Sequence, residues 1–332
     1  MNFSLVICTY QRKKALKKLL NTVKNQTVYP TEILIIDGSI DKETEILLKN
    51  YSIENLKYFH VTKNQRGLTK QRNFGIEHTN SLSEVLCFLD DDVILEPNYF
   101  EELLNTYKKF PKAVGIGGYI TNEVIWNKAT SVKCLKNEYC IDGYKRKEGL
   151  RFKIRKYLKL IDATLPGFMP LYSHGRSISY LPPSGNIYAV EYFMGGVSSF
   201  KTTVFEKIQF STYFEGYGLY EDLDFCLRAS KLGNLYVNTN AKLEHHHEQS
   251  GRPNSYKYGK MVVRNGWYVW KKKYKKTSFK ATLLFHLNVI LLLKIRFINS
   301  FYGNHKMEAF TEGIGRLVGW FSLFFNKPNI DS

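Results

Sequence analysis

Along the first half of the chain, short apolar runs at residues 3–8, 32–36, 56–61 and 85–89 alternate with longer mixed segments at 13–24, 42–50, 68–78 and 98–108. Runs of that length predict strands, and the segments between them predict helices. Such alternation predicts an α/β architecture, a mainly parallel sheet with helices on both faces. In sheets of this kind ligands bind beyond the carboxyl ends of the strands. The second half is less regular. Residues 218–228 read as a helix closed by Gly233, and 234–238 as a further strand. From about Ser255 the pattern changes to lysine and aromatic residues, followed by an apolar run at 282–293 and a last segment at 313–325. The run is too short and too close to charges to predict a membrane span, and fits an amphipathic helix lying at an interface.

The predicted strand ends carry the polar chemistry: Cys8-Thr9-Tyr10, Asp37-Gly38-Ser39, Gln65-Arg66-Gly67 and Asp90-Asp91-Asp92. One such end is ordinary turn chemistry. Four at one edge of a sheet predict a site. Alternation along an extended strand sends Asp90 and Asp92 to one side and Asp91 to the other. Two carboxylates on one side can share a hard divalent cation, completed by substrate phosphate oxygens. Further along, Glu244-His245-His246-His247 follows the predicted strand at 234–238, and alternation places His245 and His247 together with His246 opposed. Any one of the three could ligate metal or simply face solvent. Asp224 and Arg228, four apart on a helix, predict an ion pair.

Charge narrows the partners. The formal net charge of +18 favours polyanions, an anionic membrane face or phosphorylated substrates. Much of the excess lies in residues 133–159 and 257–280, the latter including Lys271, Lys272, Lys273, Lys275 and Lys276. Of five cysteines, Cys8, Cys87 and Cys226 sit in apolar runs, and Cys134 and Cys140 lack a CxxC spacing. An odd count without a disulfide framework predicts a reducing, cytoplasmic setting, and the opening segment carries no signal-peptide pattern.

Taken in order, Cys8-Thr9-Tyr10, Asp37-Gly38-Ser39, Gly67 with Arg72-Asn73-Phe74-Gly75, Asp90-Asp91-Asp92 and Glu221-Asp222-Leu223-Asp224 resemble family 2 glycosyltransferases of the GT-A fold. The resemblance runs over roughly residues 3–247. It implies a Rossmann-like nucleotide-sugar-binding half at 1–120 and an acceptor half at 121–250, leaving 251–332 as a basic, partly amphipathic helical extension. It also implies that Thr9, Tyr10 and Asp37 line the nucleobase pocket, that Arg66 or Arg72 lies near the donor, and that Asp90 and Asp91 serve the donor. Asp92 would reach an Mn2+ or Mg2+ ion and the diphosphate, with His245 completing the metal site. Gly195 and Gly196 border the acceptor cleft, where glycine lets backbone approach a sugar. Glu221 would orient the acceptor, and Asp222 would be the base of an inverting transfer. Asp222 shares a helix face with Cys226 and Ala229, so partial burial should raise its pKa toward a useful base.

The expected reaction moves a sugar from a nucleotide-sugar donor, most often a UDP-sugar, to a saccharide or lipid-linked acceptor. The basic extension would associate peripherally with an anionic membrane at its cytoplasmic face. Removing residues beyond about 280 should then release the protein from membranes and leave transfer to soluble acceptors largely intact. A nucleotidyltransferase would need a glycine-rich phosphate loop after the first strand, and Thr9-Tyr10-Gln11-Arg12 has no glycine. Trp267, Tyr268, Trp270 and Tyr274 among lysines could instead form a stacking platform for nucleic acid, against which the acids at 90–92 would work.

Overall fold

A computed structural model describes residues 1–129, 134–172, 175–214, 216–247 and 253–330. The elements run β1 (Phe3–Thr9), α1 (Lys13–Lys24), β2 (Glu32–Asp37), α2 (Glu43–Lys49), β3 (Leu56–His60), α3 (Leu68–Glu77), β4 (Val85–Asp90), β5 (Val93–Leu95), α4 (Tyr99–Lys109), β6 (Ala113–Ile120) and β7 (Asn127–Lys128). They continue through β8 (Glu138–Ile141), β9 (Tyr144–Lys147), α5 (Leu150–Tyr157), β10 (Ile187–Val190), β11 (Val197–Lys201), α6 (Thr202–Phe205), α7 (Glu221–Ala229), β12 (Asn234–His245), α8 (Ser255–Lys273), α9 (Phe279–Tyr302) and α10 (Lys306–Phe325). The eight elements expected in the first half are all present, within a residue or two of their expected ends.

Strands β10, β12, β6, β11, β4, β1, β2 and β3 lie side by side in that order, with β5 pairing β12. The β4–β1–β2–β3 side is parallel, whereas β11 runs antiparallel to both β4 and β6. The sheet is therefore mixed beyond β4, in the less regular second half. Alternation along the strands fills both faces: Leu5, Ile7, Ile33 and Ile35 pack with α1 and α4, while Val6, Leu34, Ile36 and Phe88 pack with Phe225 of α7. Register sets Thr9 opposite Asp37 and Cys8 opposite Asp90, which brings these strand ends to one edge.

β12 extends well past the expected strand at 234–238 and carries His245 at its end, pairing with Val93 of β5. That antiparallel contact delivers the histidines to the Asp90–Asp92 turn.

The C-terminal helices form a third core. Trp267, Tyr268 and Trp270 of α8 are buried with Phe285 and Val289 of α9, Leu323 of α10, and Phe214 and Leu227 of the preceding part of the chain. Tyr268 and Trp270 are completely covered. The rival reading of these aromatics as a nucleic-acid stacking platform therefore loses Trp267, Tyr268 and Trp270, whose rings serve packing. α8 and α10 approach closely at Gly259 and Gly315, where an added Cβ would meet backbone of the opposite helix at 2.2 and 2.1 Å. The apolar run at 282–293 belongs to a longer helix, α9, which by length and composition alone could cross a membrane. One of its faces packs into the third core, through Ala281, Phe285, Val289 and Leu293.

Cys134 and Cys140 form a disulfide, correcting the expectation of unpaired thiols; the six-residue separation closes through the β8 strand edge. Cys87 and Cys226 are buried and Cys8 half-buried, all three free. Lys133 and the expected domain boundary at 250 lie outside the described residues.

Candidate active site

β4 ends at Asp90, and the turn that follows groups Asp90 and Asp92 with His245 while Asp91 bonds Thr9. Asp91 points inward, accepting a hydrogen bond from Thr9 Oγ1 at 2.6 Å and one from Arg12 Nη1 at 3.1 Å. Burial pushes its pKa up to about 7, with Arg12 and Thr9 pulling the other way. Asp91 and Thr9 thus hold the ends of β1 and β4 together, and neither presents its side chain openly to a ligand. Asp92 shares Arg12 with Asp91, Nη1 lying 3.5 Å away, and also meets His245 Nε2 at 3.1 Å.

His245 is held from both ends of its ring. Its Nδ1 lies 3.5 Å from Glu123 Oε1, and His247 Nε2 meets the same oxygen at 2.9 Å. The rings of His245 and His247 lie 4.0 Å apart, while His246 turns to Glu244, so the first and third histidines pair as expected, although β12 ends at His245 and His247 takes a left-handed backbone. Burial pulls the His245 pKa down, but Asp92 and Glu123 outweigh it and hold the ring up at about 10. One ligand atom each from Asp90, Asp92 and His245 lies within 4.8 Å of the others. Two carboxylates and an imidazole fit Mn2+ or Mg2+ chemically, with coordination positions to spare for phosphate oxygens.

At the ends of β2 and β3, Asp37 is fully buried: Oδ1 accepts from Ser39 N at 2.8 Å and Oδ2 from Tyr58 Oη at 2.9 Å. Arg66 donates through Nη2 to Ser39 O at 3.2 Å, and its buried Nε makes no hydrogen bond among the described residues. Tyr10 is half-buried beside this edge. Gln71 ties the strand ends together, donating to Ile36 O at 2.8 Å and Thr9 O at 3.2 Å.

Arg72 is no surface residue. It is buried between acids, with Nη1 bonded to Glu221 Oε1 and Nη2 3.5 Å from Asp90 Oδ1. Burial pushes the Glu221 pKa up to about 8 against the opposing pull of Arg72, while Glu221 and Asp90 hold the Arg72 guanidinium charged. Gly195 and Gly196 explain how this fits. A Cβ on Gly195 would lie 2.6 Å from both Arg72 Nη1 and Glu221 Oε1, and one on Gly196 would lie 2.1 Å from Asp90 Oδ2. The space these glycines leave is filled by the ion pairs, where a close approach to sugar was expected.

Asp222 opens a different surface. Its Oδ1 accepts from Leu223 N at 2.8 Å and Oδ2 from Gly195 N at 3.2 Å. Burial pushes its pKa up, opposed by these two amides. Tyr220, with φ of 70°, takes the left-handed conformation that side chains avoid, and so turns the chain into α7 at this point. Asp222, Tyr192, Met194 and Tyr220 line a cavity of about 330 Å³. Asp224 faces away and pairs Arg228 at 2.6 Å, as the four-residue spacing predicts.

Sequence reading missed Arg12, Glu123 and Gln71 as members of this cluster. A cation three residues past a strand end was a faint signal for Arg12. Glu123 follows β6 in an irregular stretch and gives none.

Residues 4–175 match the model of glycosyl transferase family 2. The chain is 28% identical over 130 residues to the glucosyl-dolichyl phosphate glucuronosyltransferase of Haloferax volcanii, a match over 39% of this chain and 41% of that protein. In three dimensions it is similar to residues 1–349 of S. aureus TarS, with a TM-score of 0.54 and 15% identity over 97% of this chain and 80% of that one. It is also similar to GalNAc-T7 bound to UDP, GalNAc and Mn2+, with a TM-score of 0.52 and 15% identity over 91% of this chain and 58% of that one. At such identities the structural likeness speaks for the fold alone.

Proposed function

This chain belongs to glycosyl transferase family 2 and is a glycosyltransferase of the GT-A fold; on that premise we propose an inverting, metal-dependent transfer. The donor is a nucleoside-diphosphate sugar, UDP-linked in our reading, and the acceptor a saccharide or lipid-linked saccharide. The observation that carries this reading is the convergence of Asp90, Asp92 and His245 at one strand edge, with Asp222 close by at the start of α7 and bonded to the same Gly195 backbone that packs on Arg72 and Glu221.

A bound Mn2+ or Mg2+ would be held by Asp90, Asp92 and His245 and would supply positive charge against the departing diphosphate. Arg66, whose Nε has no partner among the described residues, is placed to donate to donor phosphate. Tyr10 faces the nucleobase side, while Asp91 fixes Thr9 and Ser39 and Tyr58 fix Asp37 behind it. Asp222 accepts the proton of the acceptor hydroxyl as that oxygen attacks the anomeric carbon. Burial raises its pKa, which makes it a stronger base than an exposed aspartate. Glu221 acts through Arg72, positioning Asp90 and the α7 start.

Two features support work at an anionic membrane face. Leu283, Leu287, Phe321, Phe324 and Phe325 are exposed on α9 and α10, and Lys275, Lys276 and Lys280 are exposed at the α8–α9 junction. Apolar side chains rimmed by lysines suit an anionic bilayer surface. The Haloferax relative's name specifies a dolichyl phosphate-linked sugar.

The test is thermal stabilisation and donor hydrolysis across a panel of nucleotide sugars, with and without Mn2+. One donor class should stabilise the protein only with metal, and Asp92→Ala should abolish the effect. A chain that responds to no donor overturns the reading. For the membrane face, replacing Lys275, Lys276 and Lys280 with glutamine should weaken sedimentation with phosphatidylserine vesicles at least about tenfold at low salt. Unchanged sedimentation would refute it.

A further inference from the structure

We infer that the acceptor carries a phosphate or diphosphate group, and that Arg151, Arg155 and Arg316 receive it in the cavity that Asp222 lines. The inference rests on the glycosyltransferase reading and names the acceptor's chemistry within it.

The cavity of about 330 Å³ is assembled from pieces far apart in the chain: Arg151 and Arg155 from α5, Tyr192 from the loop before β11, Asp222 from α7, Leu292 from α9 and Arg316 from α10. Its other walls are mainly apolar, as in small-molecule sites where a few polar groups fix orientation. Three arginines line it against one carboxylate, Asp222. A wall with that balance selects an anion. A neutral oligosaccharide would need amides and hydroxyls spread along it.

Each arginine adds something different. Arg151 is exposed and lies over the Phe152 ring at 4.9 Å, with no ion pair among the described residues. Arg316 meets Glu312 at 2.6 Å, but Arg296 meets the same carboxylate at 2.6 Å, so two cations share one anion. Arg155 is buried, donating to Asn288 Oδ1 at 2.7 Å and Leu160 O at 3.3 Å. Burial and the charges of Arg151 and Arg176 push its pKa down to about 10, so it stays charged at an energetic cost that a bound anion would offset. Guanidinium forks suit phosphate oxygens in pairs. With the anion on the arginines, the saccharide it carries lies in the remaining apolar space, beside Tyr192 and Tyr220, and its hydroxyl can reach Asp222.

The geometry also revises the expectation for a chain ending near 280. Without Leu292 and Arg316 the cavity loses one wall, so such a chain should lose acceptor binding together with membrane association.

The test is titration calorimetry in EDTA with inorganic pyrophosphate and with farnesyl diphosphate. Both should bind the full chain. Arg151→Gln should weaken binding about tenfold, and a double Arg151→Gln, Arg316→Gln variant about a hundredfold, on the scale of one lost charge-assisted contact each. Lys156→Gln, on the same basic helix and off the cavity, should bind like the original chain. Tighter binding of farnesyl diphosphate than of pyrophosphate assigns a lipid-linked source, and equal binding assigns a soluble sugar phosphate. Absence of binding, or binding that Arg66→Gln removes and Arg151→Gln leaves unchanged, overturns the inference. Because Arg151 is exposed, its variant is informative even if the double variant unfolds. Metal-dependent donor hydrolysis by the unaltered chain separates the two failures: its absence sinks the glycosyltransferase reading, and its presence with no anion effect sinks this inference alone.

Discussion

The two walls of this cleft are built in opposite ways. The proposed donor wall comes from consecutive strand ends of β1 to β4, and its chemistry is acidic groups restrained by cations: Asp91 and Asp92 by Arg12, Asp90 by Arg72, Asp92 by His245. The proposed acceptor wall is gathered from α5, α7, α9 and α10, and carries arginines facing a single carboxylate. An acidic wall suits a cation and through it a diphosphate; a basic wall suits an anionic group directly. The two differ in burial as well. Asp92 keeps charged partners on both sides, whereas Asp222 is held mainly by two backbone amides in a desolvated setting. In the proposed mechanism the charged neighbours of Asp92 mark the metal side, and the burial that raises the Asp222 pKa marks the base.

The largest effect should come from Asp222. Asp222→Asn should lower turnover by about a hundredfold to ten-thousandfold while leaving metal-dependent donor stabilisation in place. The base works only when ionised, so kcat/KM should rise with pH, and the midpoint should lie above the ordinary aspartate range because burial raises this pKa. A pH profile with its midpoint at an ordinary aspartate value would erase the distinction between the two walls.

Next comes the join between them. Phe285 is 1% exposed and stacks on Trp270 with ring centroids 4.5 Å apart. Phe285→Ala should cost about 3–5 kcal/mol in urea unfolding, in the same transition that unfolds the sheet. A separate, early transition would mean that the C-terminal helices fold apart from the catalytic unit, and the acceptor wall would then be an appendage.

On the donor side, Glu123 braces both His245 and His247. Glu123→Ala should weaken Mn2+ binding about tenfold to a hundredfold, measured by calorimetry with donor present. Unchanged affinity would remove His245 from the metal site and leave the two aspartates to hold it.

The donor wall was largely legible in the sequence because it is local. Apolar runs of fixed length set β1 to β4, and Asp90 and Asp92 group with His245, and His245 with His247, as expected, although the turns after β4 and β12 rather than strand alternation place them. Four-residue spacing gave Asp224 and Arg228. What escaped were partners brought in by tertiary packing. Nothing in the sequence places Arg72 of α3 on Glu221 of α7, or shows that Gly195 and Gly196 make room for that pair. The aromatics at 267–274 illustrate the same limit. Lysines around them made a surface platform plausible, but Lys272 and Lys273 reach back to carbonyls of Ile330 and Met169, and the rings turn inward. Lysine stems can lie along apolar surface while only their heads find polar partners, so a lysine-rich stretch does not exclude a buried one.

The smallest effect tests what holds α9 in place. Ser278 caps the helix, its Oγ accepting from Ala281 N at 3.2 Å. The cap lies outside the third core, and its loss leaves orphan amides that water can reach. Ser278→Ala should therefore cost only about 1 kcal/mol, within the usual range for a lost N-cap, against the several expected for Phe285→Ala. The ratio of the two losses, measured in the same urea unfolding experiment, is the informative quantity. A helix fixed by tertiary packing loses much more from its buried face than from its end, as most protein helices do. If the two losses were equal, α9 would depend on local helix formation, its grip on α8 would be weak, and Leu292 could not be a fixed part of the acceptor wall.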